Sequence, residues 1–309
     1  MLQGIKNRVR RIVDFVRNPR RVVYDWVRRN PYKVKNDELF IRARWYFEMP
    51  FNLDLRHPKR YNEKLQWLKL HDHNPQYSKM VDKYEAKKYV ADIIGDEYII
   101  PTLGVWNSVE EIDWDSLPNQ FVLKCTHDSG GLVICKDKKQ LDIEKAKKKI
   151  KRSLDTDYFA LGRDWPYKNV PHRIIAEQYM EDSKTKELRD YKFFCFDGVI
   201  KALFVASARY DREHPYVNFF DDNYQPLPFE RGYEQTLCYP EKPSSFLKMK
   251  NLSEKLSKDF THVRIDFYEI DGKPYFGEMT FYPGNGLEPF YPDKWDFIFG
   301  SWIKLPIDK

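Results

Sequence analysis

The chain contains no long uncharged hydrophobic run. Nowhere in its 309 residues does an apolar stretch approach the roughly 20 residues that a membrane-spanning helix requires. Near its start it also lacks the apolar core and small-residue cleavage site of a secretory signal peptide. We therefore expect a protein that does not span a membrane, is not secreted by that route and stays in the cytoplasm.

Cysteine is scarce, and its placement argues against two further classes of protein. The four cysteines (Cys125, Cys135, Cys195 and Cys238) form no C-x-x-C pair, and no histidine lies near them at metal-ligand spacing. Reduced, mostly buried thiols are expected rather than a zinc site or a disulfide framework. A hydrophobic content of 42% with 16% aromatic residues argues against disorder, and a chain of 309 residues can bury a large core.

Positive charge is concentrated at one end of the chain. Residues 1–35 carry eleven lysines and arginines against two aspartates, a net charge of +9. Because the whole chain has a net charge of +6, the remaining residues sum to −3. A mildly acidic body with a basic N-terminal arm requires a separate explanation of the arm.

Apolar residues of this arm recur at three- and four-residue spacing, which predicts an amphipathic helix with arginines on its other faces. Such a helix fits an anionic membrane surface, the protein's own body or a nucleic acid. We favour binding of residues 1–30 to the inner face of the cell membrane and expect no nucleic acid, because no basic patch elsewhere extends the arm. The stripe consists of Leu2, Ile5, Val9, Ile12, Val13 and Val16, followed by Val22, Val23, Trp26 and Val27.

The segment 264–280 has the pattern of a β-hairpin that places chemistry on one face. Two runs of aromatic and β-branched residues flank Asp271-Gly272, whose glycine provides the positive φ of a tight reversal. A loop of residues 271–273 would pair Ile270 with Pro274 and fix the register of both strands. A two-residue loop would shift every pair by one position.

In the three-residue register two carboxylates face each other, Asp266 opposite Glu278, while Arg264 faces Thr280 on the same side. Opposed like charges destabilise a sheet unless a cation neutralises them, and a hard divalent cation with oxygen ligands is the natural candidate. An isolated acidic pair is often only a solvated surface. The glycine-rich turn at residues 281–286, directly after the second strand, favours a binding site.

A second candidate site lies between two short predicted strands, Phe121–Cys125 and Leu132–Cys135. The loop at residues 126–131 contains paired glycines and small hydroxyl residues, whose backbone N–H groups could close on a phosphate. Lys124, on the first strand, could add a point charge. A plain hairpin turn with an incidental lysine is the alternative explanation of this loop.

The remaining patterns are coarser. Residues 36–80 read as short helices broken at prolines, and residues 80–91 as a helix that ends near Gly95 before a strand at 98–101. The pattern then predicts a helix over residues 143–154, a strand from 173 into a polar hinge at 180, and a helix over 252–260. A further hairpin spans residues 190–206, with Asp197-Gly198 at its turn and Lys192 on its first strand.

Taken together, these segments resemble the ATP-grasp superfamily, and most closely the TupA-like ATP-grasp proteins of bacterial surface-polysaccharide gene clusters. The resemblance covers roughly residues 60–306 and begins at residues 62–68, which match the opening pattern of the family. It implies that ATP is bound by two lysines, a flexible glycine-rich loop and a hinge that meets adenine. The positions that match these parts are Lys83, Lys124, Ser129, Gly130, Gly131, Glu177, Gln178, Tyr179 and Met180.

The same resemblance implies a magnesium site on Asp266 and Glu278, with Arg264 and Lys192 as catalytic residues. The family pattern has an asparagine two residues after the metal glutamate. Thr280 stands at that position here. This departure leaves one metal ligand open, and Asn285 is the expected substitute.

The fold implied by the resemblance is α+β, with two lobes that sandwich the nucleotide and a helical N-terminal region. We expect a basic arm over residues 1–35, a helical region over 36–80 and an ATP-grasp body over 81–309. Within the body, the nucleotide lobe is expected at about 120–185 and the metal-binding lobe at about 186–309.

The function implied by the resemblance is an ATP-dependent carboxylate–amine ligase that acts through an acyl phosphate. Its expected substrates are a uronic acid of a surface polysaccharide or its precursor and an amine or amino acid. Two other classes stay open. A glycosyltransferase would use a DxD motif, for which Asp113-x-Asp115 is the best formal match, and a membrane-bound adaptor would keep the fold without catalysis.

Overall fold

The computed structural model describes residues 18–184, 188–207 and 216–308, and within them it has the expected α+β architecture. The helices are α1 (Pro19–Arg29), α2 (Asp37–Glu48), α3 (Tyr61–His71), α4 (Tyr77–Val81), α5 (Glu85–Ile94), α6 (Ile143–Leu154), α7 (Tyr158–Gly162), α8 (Phe246–Ser257) and α9 (Lys294–Trp302). The strands are β1 (Thr102–Trp106), β2 (Phe121–Cys125), β3 (Leu132–Cys135), β4 (Ile174–Gln178), β5 (Arg189–Phe196), β6 (Val199–Ser207), β7 (Tyr216–Asp221), β8 (Glu230–Arg231), β9 (His262–Ile270), β10 (Lys273–Thr280) and β11 (Phe290–Tyr291).

The smaller sheet carries the predicted glycine-rich loop. Its strand order is β1-β4-β2-β3, all antiparallel. Alternate residues of β2, Phe121 and Leu123, point into a core that α6 covers with Ala146 and Ile150. The sheet therefore presents its other face, which includes Lys124, to the rest of the molecule.

The larger sheet carries the predicted acidic hairpin. Its order is β10-β9-β5-β6-β7, so the strand of Lys192 lies directly beside the strand of Asp266. Helices α3, α8 and α9 pack on it around an aromatic core that includes Phe193, Phe246 and Phe299. The two sheets fall largely within the expected lobes, but β1 precedes residue 120. The domain bounds stay a prediction.

Several helices and strands of the structure differ in position or type from those predicted from the sequence. The helix expected over 80–91 is interrupted at Asp82, whose carboxylate accepts hydrogen bonds from the N–H groups of Tyr84 and Glu85 and so caps α5. It ends at Gly95 as expected. The strand expected at 98–101 is wrong, because a short 3₁₀ turn occupies Asp96–Tyr98 and β1 begins at Thr102. The helix placed at 252–260 is α8 and starts six residues earlier.

Helix α3 contains the sequence that matches the opening of the family pattern, and its polar residues are buried. Glu63 accepts hydrogen bonds from the N–H groups of Lys59 and Arg60 at 3.0 and 3.1 Å, which caps the helix. Asn62 donates to Asp296 of α9, and Lys64 donates to the carbonyl of Ile303. Buried polar groups require such partners, so this helix is joined to the C-terminal segment by hydrogen bonds as well as by apolar packing.

The predicted membrane stripe at residues 2–16 lies outside the described residues. The second run lies in α1, where Val27 is buried against α2 while Trp26 is 53% and Val23 43% exposed. This part of the arm is therefore docked on the body through one face, as the alternative interpretation had it. The other face remains available to a partner.

The cysteines agree with the expectation of reduced, mostly buried thiols. All four cysteines are free thiols; three are buried and Cys238 is exposed. Among the described residues, no helix has both the length and the apolar character needed to cross a lipid bilayer.

One buried histidine predicts acid sensitivity of the fold. His262 Nδ1 donates to the carbonyl of Cys195 at 2.9 Å, so Nε2 accepts from the Tyr61 hydroxyl at 2.8 Å and the ring is neutral. Burial lowers the pKa of His262 to about 3. Between about pH 6.5 and 3 the unfolded chain then binds one proton more than the folded chain, so stability falls as the pH falls.

His262→Gln should remove this dependence. From pH 6.5 to 4.5 the wild type should lose roughly 2 kcal/mol more free energy of unfolding than the variant, because the slope of about 1.4 kcal/mol per pH unit is reached only below the unfolded pKa of about 6.5. Urea denaturation at a series of pH values measures the difference, with His57→Gln at an exposed position as the matched control. Equal slopes for the wild type and His262→Gln would contradict the assignment.

Candidate active site

The β9–β10 hairpin places the two predicted carboxylates opposite each other by an unexpected route. Its loop has two residues, Asp271 and Gly272, both with positive φ, and Lys273 pairs with Ile270. The predicted three-residue loop is therefore wrong. A β-bulge at Gly277 adds one residue to β10 and restores the register, so Glu278 faces Asp266 after all.

Three charged residues form one row across the larger sheet. Lys192 on β5 pairs with Asp266 on β9, which pairs with Glu278 on β10. Lys192 forms ion pairs with Asp266 and, at 2.7 Å, with Asp190. The structure thus brings together the predicted metal ligands and the predicted catalytic lysine.

Arg264 lies two residues before Asp266 on β9 and contacts two members of this row. We call Lys192, Arg264, Asp266 and Glu278 together the charged row. Its guanidinium donates twice to Asp266, at 2.7 Å each, and once to Glu278 at 2.7 Å. Burial disfavours the charged form of Glu278, but Lys192 and Arg264 outweigh that effect and lower its pKa to about 2. Burial raises the pKa of Asp266 against the same two cations. The hydrogen bonds that Asp266 accepts from Arg264 and Lys192 favour its ionised form.

Thr280 and Asn285 occupy different surroundings. Thr280 Oγ1 accepts a hydrogen bond from Arg264 at 3.0 Å and lies 3.2 Å from Glu278 Oε1. The residue that replaces the family asparagine therefore contacts two residues of the charged row. Asn285 follows in the next turn, where its carbonyl accepts from Lys69 and its side chain faces Gly162. No described contact joins Asn285 to the acidic pair, and its role as a ligand stays a prediction.

The glycine-rich loop is held from two sides. Lys83 donates its backbone N–H to Thr126 at 3.0 Å and its ammonium to the carbonyl of Asp128. The Ser129 hydroxyl lies 3.0 Å from that of Tyr158 on α7. Gly130 is exposed, and a Cβ there would meet nothing closer than 3.9 Å, so packing does not require a glycine. Close approach of a ligand to the backbone would require one.

The second nucleotide lysine is paired with the first residue of the predicted hinge. Lys124 Nζ lies 2.5 Å from Glu177, and Lys87 lies 2.7 Å from the same carboxylate. Burial opposes ionisation of Glu177, but the two lysines outweigh it and lower its pKa to about 2. Lys87 was not among the predicted site residues; its only sequence signal was its position one helical turn after Lys83.

Beyond Lys124 and Glu177 lies a cavity of about 310 Å³ between the sheets. Its walls are mostly apolar, with Lys124 and Glu177 among the few charged residues that line it, a lining that suits a flat ring with a charged tail. The hinge residues Gln178, Tyr179 and Met180 line it, as predicted for a site that meets adenine. The other lining residues are Ile100, Val122, Leu132, Ile134, Lys136, Glu181, Leu188 and Tyr268.

Electrostatic coupling joins the loop to the acidic row. Burial lowers the pKa of Lys83, and Glu278 is the first of the charges that oppose this shift. Lys83 in turn helps to lower the pKa of Glu278. Lys83, which holds the glycine-rich loop, and Glu278 of the acidic pair therefore lie close enough to affect each other's charge.

The donor set suits magnesium shared with phosphates. Within the described residues, no group of three or more His, Cys, Asp or Glu side chains is arranged to hold a metal alone. Two opposed carboxylates, Asp266 and Glu278, leave most ligand positions to other oxygens. Mg²⁺ prefers this arrangement, with one or two carboxylates completed by water and nucleotide phosphates.

The DxD match of the glycosyltransferase alternative is a turn. The Asp113 carboxylate accepts hydrogen bonds from the N–H groups of Asp115 and Ser116 at 3.1 and 3.3 Å. Asp113 and Asp115 are exposed and do not line the 310 Å³ cavity. These carboxylates therefore give no support to a nucleotide-sugar site.

Solved structures similar to this chain are ligases. They include the D-alanine–D-alanine ligase of Helicobacter pylori (14% identity, 80% of this chain and 70% of that one, TM-score 0.41) and that of Bacillus anthracis complexed with ATP (13%, 80% and 71%, 0.40). The L-amino acid ligase of Bacillus licheniformis is similar over 82% of this chain and 57% of its own length, at 13% identity and a TM-score of 0.42. No curated protein matches the chain.

The sequence itself matches a family model described as TupA-like ATPgrasp over residues 63–304. The match spans most of the chain and includes Lys83, Lys124, the hinge and the charged row. It agrees with the α+β fold and with the donor set found between the sheets. The chain therefore belongs to the TupA-like ATP-grasp family.

Proposed function

We propose that the protein joins a carboxylate to an amine through an acyl phosphate, and that the carboxylate belongs to a uronic acid of a surface polysaccharide or its precursor. The observation that supports the reaction class is the charged row of Lys192, Arg264, Asp266 and Glu278, in which Glu278 also interacts electrostatically with Lys83 beside the glycine-rich loop. The sugar half of the proposal is supported by the family resemblance alone.

The nucleotide fits the space between the sheets. Adenine would occupy the 310 Å³ cavity against the hinge, and its phosphates would extend toward Lys124 and Lys83. ATP brings about four negative charges, so several cations are needed around its phosphates. When bound on Asp266 and Glu278, Mg²⁺ would supply charge neutralisation of the phosphates.

The residues of this chain would stabilise the transferring group and protect the product. Arg264 and Lys192 are fixed by their ion pairs and can face the charge that develops on the phosphoryl group without reorganisation. An acyl phosphate hydrolyses readily. Closure of the loop that contains Gly130 over the site would exclude water. The hydrogen bond between the Ser129 and Tyr158 hydroxyls would hold the loop in the closed position.

The test is nucleotide turnover with defined substrates. The purified protein is incubated with ATP and Mg²⁺ against a panel of uronic acids and amines, and ADP is separated from AMP. We expect ADP release that requires an acid and a new amide when an amine is present. Release of AMP, or glycosyl transfer from a nucleotide sugar without ATP consumption, would contradict the proposed reaction.

The basic arm supports a second proposal, that the ligase works at an anionic membrane surface. In α1, Val23 and Trp26 stay exposed beside Arg20, Arg21 and other basic residues, although Val27 is docked. Exposed Trp beside arginines is typical of helices that lie in a membrane surface. The first seventeen residues add further positive charge and the apolar stripe.

Removal of residues 2–17 should strongly weaken sedimentation with vesicles that contain anionic lipid, because part of the positive charge and the apolar residues at positions 2–16 are lost, and it should leave ATP binding unchanged. Deletion to residue 17 keeps the docked Val27 in place, so the body should retain its stability. Binding of the intact chain should weaken in high salt, since surface charges are screened over about 10 Å at 0.1 M. Equal sedimentation of the intact and shortened chains would end the membrane proposal.

A further inference from the structure

A second cavity, of about 210 Å³, lies beside the charged row on the same face of the larger sheet. Cross-strand pairing places Lys192 beside Phe204 on β6, and Phe204 beside Phe219 on β7. One cross-strand row of side chains therefore leads from Asp266 and Glu278, through Lys192, to the two phenylalanines that form an apolar wall of the cavity. Arg264 also lines this cavity, so its charged wall borders the proposed phosphoryl-transfer site.

A buried arginine closes the cavity from another element. Arg231 on β8 is 3% exposed; it donates to the carbonyl of Pro283 at 2.8 Å and pairs with Glu288 at 2.8 Å. Its guanidinium lies 5.5 and 5.3 Å from the ring centres of Tyr61 and Phe290. These contacts hold the group rigidly, yet its Nε has no hydrogen-bond partner among the described residues.

These observations indicate a ligand with an acidic group and an apolar or ring-shaped body. Three cations, Lys192, Arg231 and Arg264, line the cavity against one carboxylate, Glu288. A planar guanidinium suits a carboxylate, and an unpaired buried N–H favours an acceptor. The volume lies below the roughly 300 Å³ at which pockets for larger ligands begin, so it suits one monosaccharide or one amino acid.

We propose that this cavity binds the acid substrate and that Arg231 is a binding residue for its carboxylate. The inference rests on the proposed ligase function and names the size and charge of that substrate. With the carboxylate held beside Arg264, one of its oxygens would attack the γ-phosphorus of ATP and the bond to ADP would break. The amine nitrogen would then attack the acyl carbon, phosphate would leave and the nitrogen would lose a proton.

Direct binding tests the site without turnover. The full chain, with Mg²⁺ and a non-hydrolysable ATP analogue, is titrated with D-glucuronate, L-alanine and D-glucose by ligand-observed NMR. We expect one of the two acids to bind and glucose, which lacks the carboxylate, not to bind. Glucuronate would identify a sugar acid and alanine an amino acid. Failure of both acids to bind, or equal binding of glucose, would overturn the assignment.

Arg231→Gln should weaken binding of the acid at least tenfold and leave the affinity for the ATP analogue unchanged. Arg42→Gln is the matched control, because Arg42 only pairs with Glu38 on the surface of α2. Since Arg231 also holds Pro283 and Glu288, a second variant is needed. Ala206→Phe fills the cavity without removing those contacts and should cause the same loss. Wild-type affinity for the acid in both cavity variants would overturn the proposal.

A hydroxylamine trap separates this inference from the reaction itself. Acyl phosphates react with hydroxylamine to give hydroxamates, so hydroxamate formation from the acid and ATP reports the proposed chemistry. If the wild type forms hydroxamate and Arg231→Gln does so with the same KM for the acid, the reaction stands and the substrate site is wrong. If an acid binds in an Arg231-dependent way but no hydroxamate forms, the site stands and the acyl-phosphate reaction is wrong.

Discussion

Asp266→Asn should lower the rate of ADP release on the order of a hundredfold or more. Asp266 lies in the middle of the charged row, bound twice by Arg264 and again by Lys192. Removal of its charge would take away one of the two carboxylates proposed to hold Mg²⁺ over the phosphates. Loss of one such electrostatic contact in a desolvated site typically costs several kcal/mol of transition-state stabilisation.

The effect should appear in kcat rather than in nucleotide affinity. Lys83 and Lys124, the proposed phosphate lysines, are untouched, and the variant has one negative charge fewer near the nucleotide. ATP binding should therefore be retained. Asp113→Asn is the matched control: it makes the same chemical change on an exposed turn and should leave the rate unchanged. Full ATP consumption by Asp266→Asn would rule out the proposed metal site.

Lys69→Met should destabilise the protein by about 3–5 kcal/mol, the usual cost of removing one partner of a buried ion pair. Lys69 is 3% exposed and lies 2.8 Å from Asp164, which is also buried. Its ammonium donates to the carbonyls of Gly162 and Asn285 at 2.9 and 2.8 Å. It thereby joins α3 to the end of α7 and to the glycine-rich turn after β10. Urea denaturation followed by circular dichroism measures the change.

Two further variants define the cause. Lys79→Met, at an exposed position in α4, should change stability by less than about 0.5 kcal/mol. Lys69→Met combined with Asp164→Leu should recover part of the loss, because no uncompensated buried carboxylate would remain. A loss below about 1 kcal/mol in Lys69→Met would contradict the importance of this contact.

Local patterns in the sequence determined most elements and much of the site. Alternating residues and the Asp-Gly turns predicted the hairpins of β5–β6 and β9–β10, and both form. The strands around the glycine-rich loop also form as expected, since turn residues and side-chain alternation act over short distances. The order of these motifs was enough to indicate an ATP-grasp body. The residue types made phosphate and metal chemistry possible, and the resemblance to the family favoured it over a solvated hairpin face and a plain turn.

Only the tertiary structure decided which of these residues meet. The turn of β9–β10 is one residue shorter than predicted, and the bulge at Gly277 compensates; the correct pairing of Asp266 with Glu278 thus depended on a feature that hairpin patterns do not encode. Arg231 lies on a two-residue strand and Lys87 on an ordinary helix face. Arg231 has no sequence signal and Lys87 has only its spacing from Lys83, because what defines each is a contact with a residue more than fifty positions away.

The same reason explains the polar helix α3. Nothing in its local sequence predicts that its lysines and amides are buried, since charged side chains are rarely buried without partners. Their partners, among them Gly162, Asp296 and Ile303, come from distant parts of the chain. The sequence by itself therefore determined the local elements and the chemistry that they could carry. The packing of distant segments decided which polar groups became buried, paired and placed around the site.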